Sequence, residues 1–158
     1  MDGMINNEII IDGVICEILT QVKDNRGAVM HHLNFKSTTF KGFEEAYISK
    51  SYPGIVKAWK MHLRMSQNFC VPTGRFRFIL FDDRESSPTR KTTNEFILDD
   101  DLEYKLLFIP LGVWYGFQCI SESPGLIVNI ANVLFDPHEV VRLELNNKVI
   151  SFSDWKKF

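Results

Sequence analysis

The chain has 158 residues, a formal net charge of −2, 45% hydrophobic residues and 13% aromatic residues. This composition excludes a disordered chain, and the length suits one globular domain with a buried core, which we expect to span residues 1–158. Because lysine and arginine nowhere form a basic run, the sequence also argues against a nucleic-acid-binding protein.

The chain start and the cysteines favour a cytoplasmic location. Residues 1–11 (MDGMINNEIII) have neither a charged start nor a long apolar core, so we expect no signal peptide and no membrane association. Cys16, Cys70 and Cys119 lie far apart and show no C-x-x-C metal spacing. They indicate reduced thiols, which are typical of the cytoplasm.

Short apolar or alternating runs, separated by turn residues, predict an all-β chain. The predicted strands lie at 8–11, 14–22, 28–35, 45–49, 55–62, 75–81, 96–98, 105–109, 115–120, 126–131 and 149–152, with one further strand in the stretch 54–74. Residues 137–141 allow at most a short helical turn. About ten strands at this spacing indicate a closed barrel or a sandwich.

The strand after Gly54 contains the sharpest pair of candidate catalytic residues. Strict alternation places Ala58, Lys60 and His62 on one face and Lys57 and Trp59 on the other. If Trp59 packs outward against a second layer or a partner subunit, Lys60 and His62 point into the barrel. A bulge or a strand end must then turn one of the two lysines if both are to face a ligand.

The stretch 54–74 keeps the spacing of a metal-binding motif of cupin-type barrels. That motif reads glycine, five residues, H-x-H, three or four residues, glutamate, six residues, glycine, and its ligand positions hold Lys60, His62 and Gln67 here. The later cupin motif P-x-G-x-x-H ends on Tyr115. Since only His62 could readily bind a divalent ion, the similarity implies a double-stranded β-helix (jelly-roll) barrel without a metal site.

Each candidate group has two interpretations. Lys60 is either a desolvated amine, acting as a general base or as a cation that holds a carbonyl or a phosphate, or a lysine at the barrel mouth with its ammonium in water. His62 is either catalytic or a hydrogen-bonded core histidine. Tyr115 is either a proton donor or a packed core residue. Several cations are either phosphate contacts or ordinary paired surface charges: Arg26, Lys57, Arg75, Arg77 and Arg84.

From about Arg26 to Trp155, the chain resembles the dTDP-4-dehydrorhamnose 3,5-epimerases of surface-polysaccharide pathways. The resemblance rests on the segments NRG at 25–27, EAYIS at 45–49, GIVKAW at 54–59, FDDR at 81–84, SPT at 87–89 and IPLGVWYGF at 109–117, followed by Asp136-Pro137, Glu139 and Arg142. Several fixed segments in one order make the family assignment specific.

The resemblance implies a chemistry that needs no metal or other cofactor. The 4-keto group of a nucleotide-linked 6-deoxysugar acidifies the protons at C3 and C5, so that a base and an acid suffice. In the family, a histidine base stands at the position of Lys60, a tyrosine acid at Asn129, a keto-binding lysine near Gln67 and another histidine at Tyr115. The carboxylate that orients the base lies in a C-terminal tail that we expect this chain to lack.

The resemblance also implies a ligand and an assembly. Arg26 matches an arginine expected on the diphosphate, Lys57 stands beside the sugar phosphate, and Glu45 and Ser49 stand near nucleotide-contacting positions. The family forms homodimers that exchange N-terminal strands, which would place the exchange within residues 1–22 here. The implied partner is therefore a dTDP-sugar together with a second copy of the chain. The expected substrate-binding set is Arg26, Glu45, Ser49, Lys57, Gln67 and Asn129.

The sequence leaves two hypotheses open. In the first, the protein epimerises or isomerises a nucleotide-linked keto-sugar, with Lys60 as the base, Tyr115 as the acid and His62 beside them. In the second, it is a binding or accessory protein that keeps the fold and the pocket, because the family base, acid, lysine and carboxylate are all replaced or missing. The number of possible metal ligands disfavours a metal-dependent oxygenase.

Overall fold

The computed structural model describes residues 4–156. Its regular structure in this range consists of twelve β-strands, which confirms the all-β prediction: β1 Ile15–Ile18, β2 Gln21–Asp24, β3 Gly27–Met30, β4 Glu45–Ser51, β5 Val56–His62, β6 Gln67–Thr73, β7 Arg75–Phe81, β8 Thr93–Asp99, β9 Lys105–Ile109, β10 Trp114–Cys119, β11 Gly125–Ala131 and β12 Val140–Arg142. Within the same range, no helix is long and apolar enough to span a membrane.

Two five-stranded antiparallel sheets form the body of the protein. The first sheet has the strand order β1-β9-β6-β11-β4, and the second has the order β12-β5-β10-β7-β8. A core of buried side chains from both sheets lies between them, and Phe69 of the first sheet contacts Phe78 and Tyr115 of the second, with ring centroids 5.3 and 5.6 Å apart. Burying an apolar face of each sheet in this way drives their association.

A second apolar core covers the outer face of the second sheet. It contains Trp59, Ile79, Phe81, Trp114, Ile150 and Phe152, with Trp155 packed against it. The rings of Trp59 and Trp155 lie 5.5 Å apart. Trp59 therefore packs outward, as the inward orientation of Lys60 and His62 requires, and the end of β7 is apolar on both faces because it runs between the two cores.

Strand β5 contains the bulge that the two lysines require. Tyr115 of β10 pairs with Lys60, whereas Phe117, two residues further, pairs with Lys57, so β5 has one extra residue between these pairs. The extra residue brings Lys57 and Lys60 to the same cavity. The prediction that Ala58 shares the face of Lys60 is wrong, because the bulge turns Ala58 toward the outer core.

Two predicted strands are irregular segments in the structure. Residues 8–11 pair with no strand, because the side chain of Asn94 bonds their backbone: its Nδ2 donates to the carbonyl of Ile9 at 2.8 Å, and its Oδ1 accepts from the amide of Ile11 at 2.8 Å. Residues 149–152 are also irregular, and the side chain of Asn147 accepts the amides of Val149 and Ile150 at 2.8 Å each. The predicted strand 14–22 is broken into β1 and the start of β2.

Strands β2 and β3 form a separate hairpin. Among the described strands they pair only with each other, whereas β1 pairs with β9 of its own chain. Val22 and Val29 face each other on this hairpin, and 58% and 64% of their surfaces are exposed. The exchange of residues 1–22 between subunits stays a prediction, and residues 1–3 lie outside the described range.

The cysteines and possible metal ligands are scattered. Within the described part of the chain, Cys16, Cys70 and Cys119 are all free thiols. No group of three or more histidine, cysteine, aspartate or glutamate side chains that could hold a metal ion occurs in that part. The cytoplasmic location stays a prediction.

Candidate functional site

A cavity of about 220 Å³ lies between the two sheets. One side, which we call the basic wall, is formed by β5, β10 and β12 and contains Lys57, Lys60, His62, Tyr115, Phe117, Val140 and Arg142. The other side, which we call the amide wall, is formed by β4, β6 and β11 and contains Tyr47, Ser49, Gln67, Phe69 and Asn129. Met65 and Phe135 complete the lining.

All four cupin-motif positions meet in this cavity. Lys60 and His62 reach it from β5, Gln67 from the start of β6 and Tyr115 from β10. The spacing of the motif therefore brings these side chains together although their types differ from the metal-binding pattern.

His62 forms a buried pair with Glu139. The Nδ1 atom of His62 bonds Oε1 of Glu139, whose side chain is only 2% exposed. The other carboxylate oxygen, Oε2, accepts the backbone amides of Leu63, Arg64 and Met65 at 3.1, 3.0 and 3.3 Å. Burial raises the pKa of Glu139, but the bonds from His62 and these amides outweigh it, so the net pKa is lowered and the group is ionised.

The pairing with Glu139 fixes the protonation of the His62 ring. An ionised carboxylate only accepts hydrogen bonds, so Nδ1 carries the ring proton and Nε2 presents a lone pair. That Nε2 lies 3.3 Å from Nε2 of Gln67 and 3.4 Å from the hydroxyl of Tyr115. Gln67 also donates to the Tyr115 hydroxyl at 3.0 Å. The four side chains thus form one hydrogen-bonded network.

At neutral pH this network holds a neutral imidazole and a protonated phenol. Burial lowers the pKa of His62 below its usual value, although Glu139 opposes that shift. Burial raises the pKa of Tyr115 to about 12. The side chain of His62 is 8% exposed and Tyr115 is 4% exposed, so the network belongs to the inner part of the site.

Three cations occupy the rest of the basic wall. Lys60 stands in register between Tyr115 of β10 and Arg142 of β12, and Lys57 lies beyond the bulge. Burial lowers the pKa of Lys60, and the nearby charges of Arg142 and Lys57 lower it further. Within the described residues, no carboxylate oxygen lies within 4.0 Å of the side-chain nitrogens of Lys57, Lys60 or Arg142.

The amide wall offers mostly neutral polar groups. Asn129 Oδ1 accepts the backbone amide of Asn68 at 3.1 Å, which fixes the orientation of its side chain. The hydroxyl of Tyr47 donates to Oε2 of Glu45 at 2.8 Å. Glu45 does not line the cavity itself, but it holds Tyr47, which does.

Arg26 lies outside the cavity of its own chain. It sits at the turn of the β2–β3 hairpin, 85% of its side chain is exposed, and it pairs with Asp24 at 2.6 Å. The other arginines considered as phosphate contacts have structural partners: Arg75 lies 3.7 Å from Asp99, Arg77 lies 2.9 Å from Glu95, and Arg84 lies 2.9 Å from Asp82.

Sequence reasoning missed the roles of three residues. In the sequence, Glu139 and Arg142 are visible only as parts of one family segment, and Tyr47 only as part of another. The short strand β12 pairs Val140 with His62 and so delivers Glu139 to the site. The β-branched pair Val140 and Val141 indicates a strand, but no local signal specifies that this strand docks on β5.

The comparison with known proteins identifies the family. The sequence model of dTDP-4-dehydrorhamnose 3,5-epimerases, the dTDP-sugar isomerase family, matches residues 8–156. The chain belongs to this epimerase family. The prediction made from the fixed segments is thereby confirmed.

Two relatives of this epimerase-family chain are named for the biosynthesis of a polysaccharide or a glycan. The spore coat polysaccharide biosynthesis protein SpsL of Bacillus subtilis is 30% identical over 145 residues, which cover 90% of this chain and 95% of SpsL. The probable low-salt glycan biosynthesis epimerase Agl13 of Haloferax volcanii is 36% identical over 94 residues, which cover 59% of this chain and 60% of Agl13.

Solved structures confirm the predicted cupin barrel of the epimerase family. The dTDP-sugar isomerase of Desulfovibrio desulfuricans G20 superposes with a TM-score of 0.87 at 36% identity, covering 92% of this chain and 94% of that one. The epimerase NovW of Streptomyces spheroides has a TM-score of 0.83 at 19% identity, covers 94% of this chain and 77% of its own, and shows the shared fold.

Proposed function

We propose that the protein binds a dTDP-linked 4-keto-6-deoxyhexose and catalyses proton removal and return at a carbon next to the keto group. The observation that carries this proposal is the basic wall, where the desolvated Lys60 stands beside the His62–Glu139 pair and Tyr115 in one cavity. Family membership supports the substrate class.

The keto group makes such a reaction accessible to simple acid–base catalysis. A carbon–hydrogen bond next to a carbonyl breaks to give an enolate, in which the negative charge moves onto the carbonyl oxygen. A positioned base contributes roughly 10²–10⁴ in rate to such a step. A cation or a hydrogen-bond donor at the developing oxyanion contributes further stabilisation.

Lys60 is our candidate for the base. Its lowered pKa increases the fraction of neutral amine at neutral pH compared with a solvated lysine. The nearby cations Arg142 and Lys57 contribute to that shift. The rate should therefore rise with pH and level off at an apparent pKa below 10.5, the ordinary value for lysine.

The inner network supports the same step. His62 accepts at Nε2 while Tyr115 carries a hydroxyl proton, so a proton can move between these groups within the buried site. Tyr115 is directly beside Lys60 in the strand register. We therefore keep Tyr115 as a candidate acid for return of the proton on the basic wall, with His62 and Glu139 orienting it.

The remaining polar groups suit the rest of the ligand. Lys57 donates to the carbonyl of Lys50 at 3.0 Å and lines the cavity, and Arg142 is a second cation of that lining. A diphosphate would neutralise these two cations. Ser49, Gln67 and Asn129 present hydrogen-bonding groups for the sugar and the nucleotide.

A homodimer would complete the ligand site. Val22 and Val29 are exposed on the β2–β3 hairpin, and Arg26 at its turn does not line the cavity of its own chain. We propose that the hairpin packs on a second copy of the chain, so that Arg26 reaches the diphosphate in the partner's cavity. Burial of the two valines would stabilise this packing.

One observation favours a second candidate function, a binding protein without turnover. Asn129 holds no transferable proton, and its Oδ1 is occupied by the backbone of Asn68. If no other group returns the proton to the opposite face of the sugar, the cavity binds a nucleotide sugar without converting it.

Deuterium exchange tests the proposal. We expect a dTDP-4-keto-6-deoxyhexose in D₂O to lose the NMR signal of a proton at C3 or C5 in the presence of the protein. Replacement of Lys60 by alanine should slow this exchange by roughly 10²–10⁴ because the base is lost, and added ethylamine should restore part of the rate. Lys148→Ala, at an exposed turn, is the matched control.

The outcomes separate the two candidate functions. Exchange that persists unchanged in Lys60→Ala would exclude Lys60 as the base. Absence of exchange in the unaltered protein, with ligand binding still visible in the spectra, would favour the binding protein.

A further inference from the structure

Inversion at a carbon requires proton transfer on both faces of the sugar ring. A base takes the proton from one face, and an acid must return a proton to the opposite face. A flat sugar ring held between two walls presents one face to each wall. The acid for inversion therefore has to stand on the wall opposite the base.

The strand registers define two facing rows of side chains. On the basic wall, neighbouring strands place Arg142, Lys60 and Tyr115 in one row. On the amide wall, neighbouring strands place Tyr47, Asn129 and Phe69 in another row. All six side chains line the cavity.

A contact between the walls shows how the rows face each other. Phe69 meets Tyr115, with ring centroids 5.6 Å apart. One strand further along each row stand Asn129 and Lys60, and one strand beyond those stand Tyr47 and Arg142. Tyr47 thus lies across the cavity from the part of the basic wall that holds Lys60 and Arg142.

Tyr115 is on the wrong wall for inversion. It is the register neighbour of Lys60, so a proton that it gives returns to the face from which Lys60 removed one. Its hydroxyl already accepts from Gln67 and lies against His62. Tyr115 accounts for exchange with retained configuration.

We propose that Tyr47 is the acid that returns the proton from the amide wall and so makes the reaction an epimerisation. Among the described residues on that wall, Ser49, Gln67, Phe69 and Asn129 offer no comparably acidic proton, whereas the phenol of Tyr47 does. The assignment rests on the proposed function.

Glu45 fixes the position of the Tyr47 hydroxyl. Oε2 of Glu45 accepts a hydrogen bond from the Tyr47 hydroxyl at 2.8 Å and another from the backbone amide of Phe135 at 2.9 Å. Burial and this carboxylate raise the pKa of Tyr47, so the hydroxyl is protonated at neutral pH. Tyr47 is half-buried, which leaves it access to solvent protons.

The proton balance closes over one turnover. The Lys60 amine takes the proton from carbon, which leaves an ammonium and an enolate. The Tyr47 phenol gives its proton to the other face of that carbon, which restores the ketone and leaves a phenolate. Solvent then returns a proton to the phenolate and accepts one from the ammonium.

The variant Tyr47→Phe separates inversion from exchange. With a dTDP-4-keto-6-deoxyhexose in D₂O, we expect the variant to exchange a C3 or C5 proton within about threefold of the unaltered rate, because the base and Tyr115 are intact. Formation of the inverted sugar should fall by roughly 10²–10⁴. Borohydride reduction of the keto group before NMR traps both configurations for counting. Tyr52→Phe, at a tyrosine that is 62% exposed, is the matched control.

Each outcome decides the assignment. Exchange without inversion in Tyr47→Phe supports it. Inversion at the unaltered rate in that variant overturns the assignment of Tyr47 as the acid but leaves the proposed function intact. An equal loss of exchange and inversion also overturns the assignment, because it indicates a structural or binding role for Tyr47. Exchange without inversion in the unaltered protein also overturns it. No exchange in the unaltered protein overturns the proposed function and the assignment together.

Discussion

The carboxylate of Glu139 collects four hydrogen-bond donors in a site that water hardly reaches. His62 Nδ1 bonds one oxygen, and the amides of Leu63, Arg64 and Met65 bond the other. Removal of a buried carboxylate with this many hydrogen bonds strongly destabilises a protein, because its donors are left without partners. Glu139 therefore fixes the turn after β5 as well as the ring of His62.

Replacement of Glu139 by glutamine tests this dual role. We expect a loss of roughly 3 kcal/mol in the free energy of unfolding, because the amide cannot accept at both ends. The pKa of His62 should fall further below its usual value, since the charge that opposes the effect of burial is gone. Urea unfolding and an NMR titration of the His62 ring measure the two effects.

The exposed Glu144 provides the control for that substitution. Glu144→Gln removes the same charge from the C-terminal segment without touching His62. Equal stability of the two variants would contradict the structural role of the Glu139 carboxylate.

At the residue scale, the sequence predicts which side chains meet but not how they are partnered. The kept motif spacing is sufficient to bring Lys60, His62, Gln67 and Tyr115 together, because strand positions and turns fix that geometry. The pairing of His62 with Glu139 spans 77 residues and depends on where a three-residue strand docks. No local pattern contains that information.

Gly116 illustrates how one position shapes an element. It lies opposite the bulge of β5, where an added Cβ would stand 2.3 Å from Cβ of Ala58 and 3.3 Å from the ring of Trp155. Only glycine therefore allows β5 and β10 to approach as they do. The bulge, in turn, brings Lys57 and Lys60 to one cavity.

We expect Gly116→Ala to destabilise the protein by about 1–3 kcal/mol because the methyl group overpacks the bulge. It should also reduce the deuterium exchange rate, since β5 must shift. The double variant with Ala58→Gly removes the opposing methyl group and should recover both properties. Thermal unfolding and the exchange assay measure them, and a single variant as stable as the unaltered protein would refute the argument.

Whether a strand can be predicted from the sequence depends on which interactions hold it in place. Strands β7 and β9 match their predicted ranges because alternation and flanking turns determine them. The segments 8–11 and 149–152 have the same apolar character, but Asn94 and Asn147 bond their backbones instead of a neighbouring strand. Such side-chain competition is not visible in a hydrophobic pattern.

At the scale of the whole molecule, the exposed valines of the β2–β3 hairpin indicate an interaction surface. Val22 and Val29 pair with each other across β2 and β3, and both are more than half exposed. Exposed apolar pairs on a projecting hairpin are typical of interaction sites. The barrel itself needs no such contact, since its core lies between the sheets.

We expect light scattering coupled to gel filtration to give about twice the chain mass of 18.3 kDa. Val29→Glu should shift the protein toward the monomer, because a charge would be buried at the interface. Val149→Glu, at an exposed valine of the C-terminal segment, should leave the mass unchanged. A monomer in the unaltered protein would contradict the proposed dimer.

The outer core also determines what the protein's fluorescence reports. Trp59, Trp114 and Trp155 are the three tryptophans of the chain, and all belong to or pack against that outer core. Tyr47 and Tyr115, by contrast, line the cavity. Tryptophan emission should therefore report the release of the C-terminal segment, residues 149–156, from the second sheet. A ligand that moves the bulge of β5 on entering the cavity would change that emission, so tryptophan fluorescence can report coupling between the two layers.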